Sequence, residues 1–294
     1  MTARARWTAR GRRVIPRAAM EDPLRDRMKA LEAVEAGRRF ERGAIVVARV
    51  DGRSFSQWTR DLPRPYDPRL SALMVDTARA LMHETGARFG YTQSDEITLV
   101  LHPEGDGSML WFDGRVQKTV SQLGALATGV FNLLLPDALP EKAAQRTPAR
   151  LPSFDARVWT VPSRAEACDV VLWRALDATR NSVAMAARAR FSHRETDRKD
   201  TGALRAMLAA AGAPWEAMPD GFRYGTMLRR RRVVRPFRAE ELDALPPQHA
   251  ARRDPSLAVE RAEVVADPLP RFDRVANAEA VIFDGADAAP APPP

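Results

Sequence analysis

The sequence of 294 residues carries one cysteine, Cys168, four histidines and three tyrosines. A lone cysteine excludes a disulfide within the chain, and with it the stapled frameworks of small secreted domains, so a cytoplasmic setting is expected. No apolar run approaches the roughly 20 residues that span a bilayer, and no spanning segment is expected. The N-terminal arginines never give way to an apolar stretch, which argues against a secretory signal. His83 and His102 have no partner at ligand spacing and read as structural, so a nitrogen-based metal centre is not expected.

What is present is ordinary for a globular protein, 45% apolar and 29% charged. The net charge of +8 suggests nucleic acid, but Arg4, Arg6, Arg10, Arg12, Arg13 and Arg17 all fall in residues 1–19. Setting those six aside lowers the balance to +2. Basicity alone therefore decides little. Residues 1–19 read as a disordered basic extension, composition favours Met20 as the start, and the extension is expected to be dispensable for catalysis.

Residues 22–40 read as a helix ending near Gly37. Ala44 to Val50 is a β-branched run of strand length. Asp67 and Pro68 form an N-cap pair for a helix over 68–85, where Leu70, Leu73, Met74, Ala78, Leu81 and Met82 recur at helical spacing. Two short strands follow, 88–92 and 96–102, with Gln93-Ser94-Asp95 at their turn. Residues 115–135 are helical, 136–152 a proline-rich surface loop, and 155–161 a strand. Ser163 and Glu166 have the spacing of a capping box for a helix through about His193. The order β-α-β-β-α-β predicts an α+β fold of ferredoxin-like topology, an antiparallel sheet with two helices on one face.

In that topology Asp51, at the end of the first strand, and Asp95-Glu96, in the central hairpin, can converge. Carboxylates with no histidine or cysteine nearby suit a hard cation such as Mg²⁺, and two such ions can activate a hydroxyl and stabilise a leaving pyrophosphate. Gly52 allows close backbone approach, and the amides from Gly52 to Ser56 could bind a triphosphate. The bland alternative stays open: Asp51-Gly52 is a turn and Asp95 a turn cap.

The segments Val47-Ala48-Arg49-Val50-Asp51-Gly52-Arg53-Ser54-Phe55 and Gly90-Tyr91-Thr92-Gln93-Ser94-Asp95-Glu96-Ile97 resemble the signature of the histidine-tRNA guanylyltransferase family. So do Phe154-Asp155-Ala156-Arg157-Val158 and the stretch from Trp173 to Ser182. The resemblance implies a polymerase-like palm, 3′-to-5′ addition of nucleotides to tRNA, two Mg²⁺ ions, and GTP and ATP as substrates. It implies Asp51, the Gly52 carbonyl and Asp95 as metal ligands and Glu96 as a further catalytic carboxylate. Nucleotide contacts are implied for Gly52, Arg53, Ser54, Phe55, Ser56, Arg64, Asp67 and Ser94. Arg64 stands where the family has lysine.

Arg115 and Lys118, cations against a helix dipole, are candidates to face RNA phosphates, the bland alternative being a solvated face. Arg174, Asp177 and Asn181 share a helix face and are expected to meet tRNA or nucleotide, the bland alternative being a surface salt bridge. Ala178-Thr179-Arg180-Asn181 replaces the eukaryotic Cys-His-Ile-Asn, which resembles the bacterial branch that repairs truncated tRNA 5′ ends against a template. Guanylate addition to histidine tRNA is the second reading, and a non-catalytic tRNA-binding protein the third. The expected organisation is the extension over 1–19, a catalytic palm over 20–162, a helical and β extension over 163–280 for RNA binding and assembly, and a disordered tail over 281–294. A homotetramer is implied by the resemblance alone.

Overall fold

The computed structural model describes residues 23–103 and 109–292. The arginine extension, Met20 and the last two prolines lie outside them. The chain divides into two compact units, residues 1–38 and 39–294. The first contributes helix α1 (Pro23–Ala36), which buries none of its residues.

The second unit opens with β1 (Ile45–Gly52), a one-turn helix α2 (Phe55–Trp58) and α3 (Pro68–Thr85). Next come β2 (Phe89–Gln93), β3 (Glu96–Leu101), α4 (Val116–Ala138), α5 (Pro140–Ala144) and β4 (Phe154–Val161). The β-branched runs and the Asp67 cap give these elements where their residues predict them, with Asp67 accepting from the Arg69 amide at 2.9 Å. Beyond β4 lie α6 (Arg164–Arg188), α7 (His193–Thr196), α8 (Thr201–Ala210), α9 (Asp220–Tyr224) and β5 (Thr226–Pro236). The chain closes with α10 (Ala239–Ala244), α11 (Ala250–Arg253), β6 (Ala258–Pro268) and α12 (Ala278–Phe283).

All strand pairs are antiparallel, in the order β4-β1-β3-β2-β5-β6. The first four strands carry the ferredoxin-like order, and β5–β6 extends the same sheet. Alternation along β1 sends Val46, Ala48 and Val50 to the face covered by α3 and α4, where they join Leu73, Leu81, Ile97, Leu99, Leu123 and Phe131. The opposite face carries Ile45, Phe89, Tyr91 and Val100 against α6 and α12. The sheet is therefore covered on both faces, whereas the ferredoxin pattern alone predicts helices on one.

Four local expectations are corrected. The proline-rich stretch from 136 is a surface loop only beyond Ala144. Pro136 sits in the last turns of α4, and the carbonyl of Asn132 that a proline cannot bond accepts Nη1 of Arg146 at 2.7 Å. Leu139 and Lys142 are buried, Lys142 bonding the Trp58 carbonyl and Asp61. Helix α6 stops at Arg188, because Ser192 and Glu195 form their own capping box for α7. The tail is ordered to Ala291: Val281, Ile282 and Phe283 are buried, and Ala291 donates to the Arg274 carbonyl at 2.7 Å. Last, α4 is long and apolar enough, by length and composition, to cross a membrane. Here Leu123, Gly124, Ala127, Phe131 and Leu135 pack it into the core.

Gly124 sets how close α4 comes to β4, since a Cβ there would lie 2.9 Å from the Phe154 carbonyl oxygen. Gly129, on the same helix, would meet nothing within 4 Å. Gly124→Ala should cost about 1–3 kcal/mol of overpacking, more than the roughly 1 kcal/mol that alanine adds to a helix. Gly129→Ala should stabilise. Urea unfolding of the two variants checks both signs.

Candidate active site

Gly52 ends β1 and lets the chain turn back at once, because a Cβ there would meet the Phe55 ring at 2.5 Å. Phe55 then buries its ring among Trp58, Phe131 and Phe154, with centroids 5.1–5.5 Å away. The Gly52 amide donates to the Asp95 carbonyl at 3.1 Å, tying the end of β1 to the hairpin. Gln93 pairs with Glu96, so Ser94 and Asp95 make a two-residue turn. Ser94 (φ 54°) and Ser54 (φ 57°) both take left-handed backbone, which costs a non-glycine residue of order 1 kcal/mol each.

This geometry brings Asp51, the Gly52 backbone and Asp95 into the wall of one cavity of about 460 Å³. Ser54, Phe55, Ser56, Arg64, Asp67 and Ser94 share the wall. Burial lifts the Asp95 carboxyl above the usual range, and the charges of Asp51 and Glu96 push the same way against a 3.0 Å hydrogen bond from Ser94. No histidine or cysteine lines the cavity, and no cation is paired with Asp51 or Asp95 among the described residues. An oxygen-only set of two carboxylates and a carbonyl fits Mg²⁺, which takes one or two carboxylates and completes its shell with water and phosphate. No cluster of three acidic, histidine or cysteine side chains poised for a metal occurs among the described residues.

Several predicted residues sit elsewhere than expected. Glu96 lies across from Asp51 on the α6 side of the sheet, outside the cavity. Arg174 grips it with two hydrogen bonds, 2.7 and 2.6 Å, both side chains being largely buried. Burial raises the Glu96 carboxyl and Arg174 opposes that shift. Arg174, Asp177 and Asn181 thus form a bonded cluster, with Asp177 accepting from all three neighbours Arg174, Arg180 and Asn181. The amides of Gly52 and Arg53 are taken by the Asp95 and Ser153 carbonyls. That leaves Ser54, Phe55 and Ser56 as the amides without a bond among the described residues.

Arg53 is exposed and lies outside the cavity wall. Asp67 is buried and held by Arg69, whose hydrogen bond keeps its carboxyl below the usual range. Arg115 and Lys118 stand at the start of α4, beside the residues that precede β1 and thus at the far end of the sheet. Lys118 rests over Phe112. These departures share a cause: spacing reveals a face, not which neighbour from a distant segment occupies it.

Sequence reasoning also passed over Asp155, which is paired directly with Asp51 on β4. Asp155, Asp51 and Glu96 form a row on adjacent strands, about 5 Å apart at Cα. The ferredoxin strand order was the available signal. The far wall of the cavity, Met185, Arg188 and Phe222, comes from α6 and α9, and no local motif announces it.

A family model described as tRNAHis guanylyltransferase matches residues 25–162. Over these residues, a little under half of the chain, the protein is similar to that family. The guanylyltransferase-family stretch holds Asp51, Asp95, Glu96 and Asp155, while the α6 and α9 wall lies beyond it. An uncharacterized protein of Acanthamoeba polyphaga mimivirus is 33% identical over 181 residues, 56% of this chain and 62% of that protein. The tRNA(His) guanylyltransferase of Neurospora crassa is 30% identical over 141 residues, 47% of this chain and 46% of that one. The chain thus spans less than two thirds of the length of these two relatives. A bacterial guanylyltransferase-like protein solved with ATP superposes with a TM-score of 0.65 at 26% identity, covering 71% of this chain and 87% of that one.

The raised Asp95 has a consequence for stability. The folded state holds its proton more tightly than the unfolded chain, so stability falls as pH rises from the ordinary aspartate range through the raised value. Asp95→Asn keeps the acceptor for Ser94 and removes the charge. Without metal at neutral pH the variant should melt at or above the parent temperature, and Mg²⁺ should no longer raise it. Melting several degrees lower without metal would make Asp95 a structural turn group.

Proposed function

We propose that this chain is a magnesium-dependent nucleotidyltransferase that adds nucleotides to the 5′ end of tRNA. Within that activity we favour template-dependent repair of truncated tRNAs, as in the bacterial branch. The observation that carries the reading is the meeting of Asp51 and Asp95, neither paired to a cation among the described residues, in one cavity walled by Ser54, Ser56 and Ser94. Likeness to a bacterial protein that holds ATP supports a nucleoside triphosphate as occupant.

Asp51, Asp95 and the Gly52 carbonyl would hold Mg²⁺, which supplies charge stabilisation to a leaving pyrophosphate and acidity to an attacking hydroxyl. The chain's own residues do the rest. The amides of Ser54, Phe55 and Ser56, without a bond among the described residues, would offer donors to an anion at this turn. Tyr66 and Phe222, stacked at 4.7 Å, offer an apolar wall to a base. Arg174 neutralises Glu96 and so keeps a third charge from competing beside Asp51.

Thr179 supports the templated reading. Its hydroxyl bonds the Ala175 carbonyl at 2.9 Å, and it lies outside the cavity wall. It therefore offers no dedicated polar contact for one tRNA, and base pairing with the opposite strand of the acceptor stem would select the nucleotide. The test uses tRNAs lacking the first nucleotide with each of the four template bases, alongside full-length histidine tRNA and all four triphosphates. The Watson–Crick partner should be added in every case, with addition stopping when the stem is complete. Asp51→Ala should lower the rate on the order of 10³-fold or more without loss of fold. A single untemplated guanylate on histidine tRNA would replace this reading with the second one. tRNA binding without any addition would leave an RNA-binding protein.

A further inference from the structure

The cavity mixes charges in a way that one class of ligand matches. Asp51 and Asp95 stand on one side, and the cations in the wall are Arg64, from the loop before α3, and Arg188, from the last turn of α6. Asp67 is already neutralised by Arg69. Arg64 and Arg188 have no hydrogen bond or ion pair to any described residue, whereas Arg174, Arg223 and Arg229 are tied to carboxylates. A bare anion would be repelled by the aspartates, and a bare cation by the arginines. A polyphosphate carrying divalent metal satisfies both sides, with the metal toward the carboxylates and the outer phosphates toward the guanidinium groups.

We infer that Arg188 is a polyphosphate-binding residue of this cavity, acting from the end of α6 while the metal-binding carboxylates come from the strand ends. The inference rests on the proposed nucleotidyl transfer and names a residue outside the family stretch. A cation in the last turn of a helix is favourable without any ligand. What sets Arg188 apart is its place in the cavity wall and the anchoring of α6 behind it. The Ser182 hydroxyl donates to the Arg223 carbonyl at 3.2 Å and accepts from the Trp215 indole at 3.1 Å. The helix end is therefore fixed against the packed cluster of Val183, Ala187, Leu208 and Phe222. The polyphosphate could belong to the incoming nucleotide or to an RNA 5′ end, since both present the same oxygens.

Calorimetric titration of the full chain with inorganic tripolyphosphate and Mg²⁺, and separately with adenosine, tests the assignment. Arg188→Gln should weaken tripolyphosphate binding at least about tenfold and leave adenosine binding and the melting temperature unchanged. Arg188→Lys should restore part of the loss. A KM increase confined to the nucleoside triphosphate would support the inference and identify the incoming nucleotide. An increase confined to 5′-triphosphorylated RNA would support it and identify the RNA end. Equal tripolyphosphate binding by Arg188→Gln and the parent would overturn the inference and leave the proposed activity standing. Loss of adenosine binding or of melting temperature in the same variant would overturn it in favour of a helix-end role. No tripolyphosphate binding by the parent would overturn both.

Discussion

A single backbone hydrogen bond, from the Gly52 amide to the Asp95 carbonyl, holds the end of β1 against the β2–β3 turn. Everything at the site depends on it. The bond brings two aspartates into one cavity wall, where burial and like charge raise the Asp95 carboxyl. Beside it, position 52 has no Cβ to strike the Phe55 ring, which packs close against the same turn. The packing of Phe55 with Phe131 and Phe154 and the meeting of the carboxylates thus share one turn.

Around these two aspartates the fold neutralises its other acids. Glu96 has Arg174, Asp67 has Arg69, and Asp61 has the buried Lys142. Each pair also positions a wall: Arg174 fixes α6 to β3, Asp67 caps α3, and Lys142 holds the chain after α2. Asp51 and Asp95 receive no such partner among the described residues. Two serines in left-handed backbone flank them, and strain of that kind persists where surrounding packing enforces it. A site left charged and strained inside an otherwise balanced structure is suited to a metal-bearing anion.

Much of this was legible in the residues. The β-branched run at 45–50, the Asp67-Pro68 cap and the short strands around Gln93-Ser94-Asp95 were enough for the ferredoxin-like order, and the order was enough to bring Asp51 toward Asp95. What could not be read were choices made by distant segments. Glu96 and Arg174 are each plausible site residues alone, and only the packing of α6 on the second sheet face turns them toward each other. The Arg146 guanidinium that satisfies Asn132 lets α4 run through Pro136, which local rules forbid. Residues from 281 on look like a tail by composition, yet Arg229, buried on β5, draws Asp287 back to the sheet at 3.1 Å. Arg188 joins the cavity from a helix that no motif connects to it.

The central claim is that Asp51 and Asp95 together bind divalent metal with nucleotide. Anomalous diffraction from crystals soaked with Mn²⁺ and a non-hydrolysable nucleoside triphosphate measures this directly. Manganese peaks are expected between the Asp51 and Asp95 carboxylates and the Gly52 carbonyl, with phosphate oxygens completing the shell. Nucleotide bound in the cavity with no manganese there, or manganese held elsewhere, would contradict that claim.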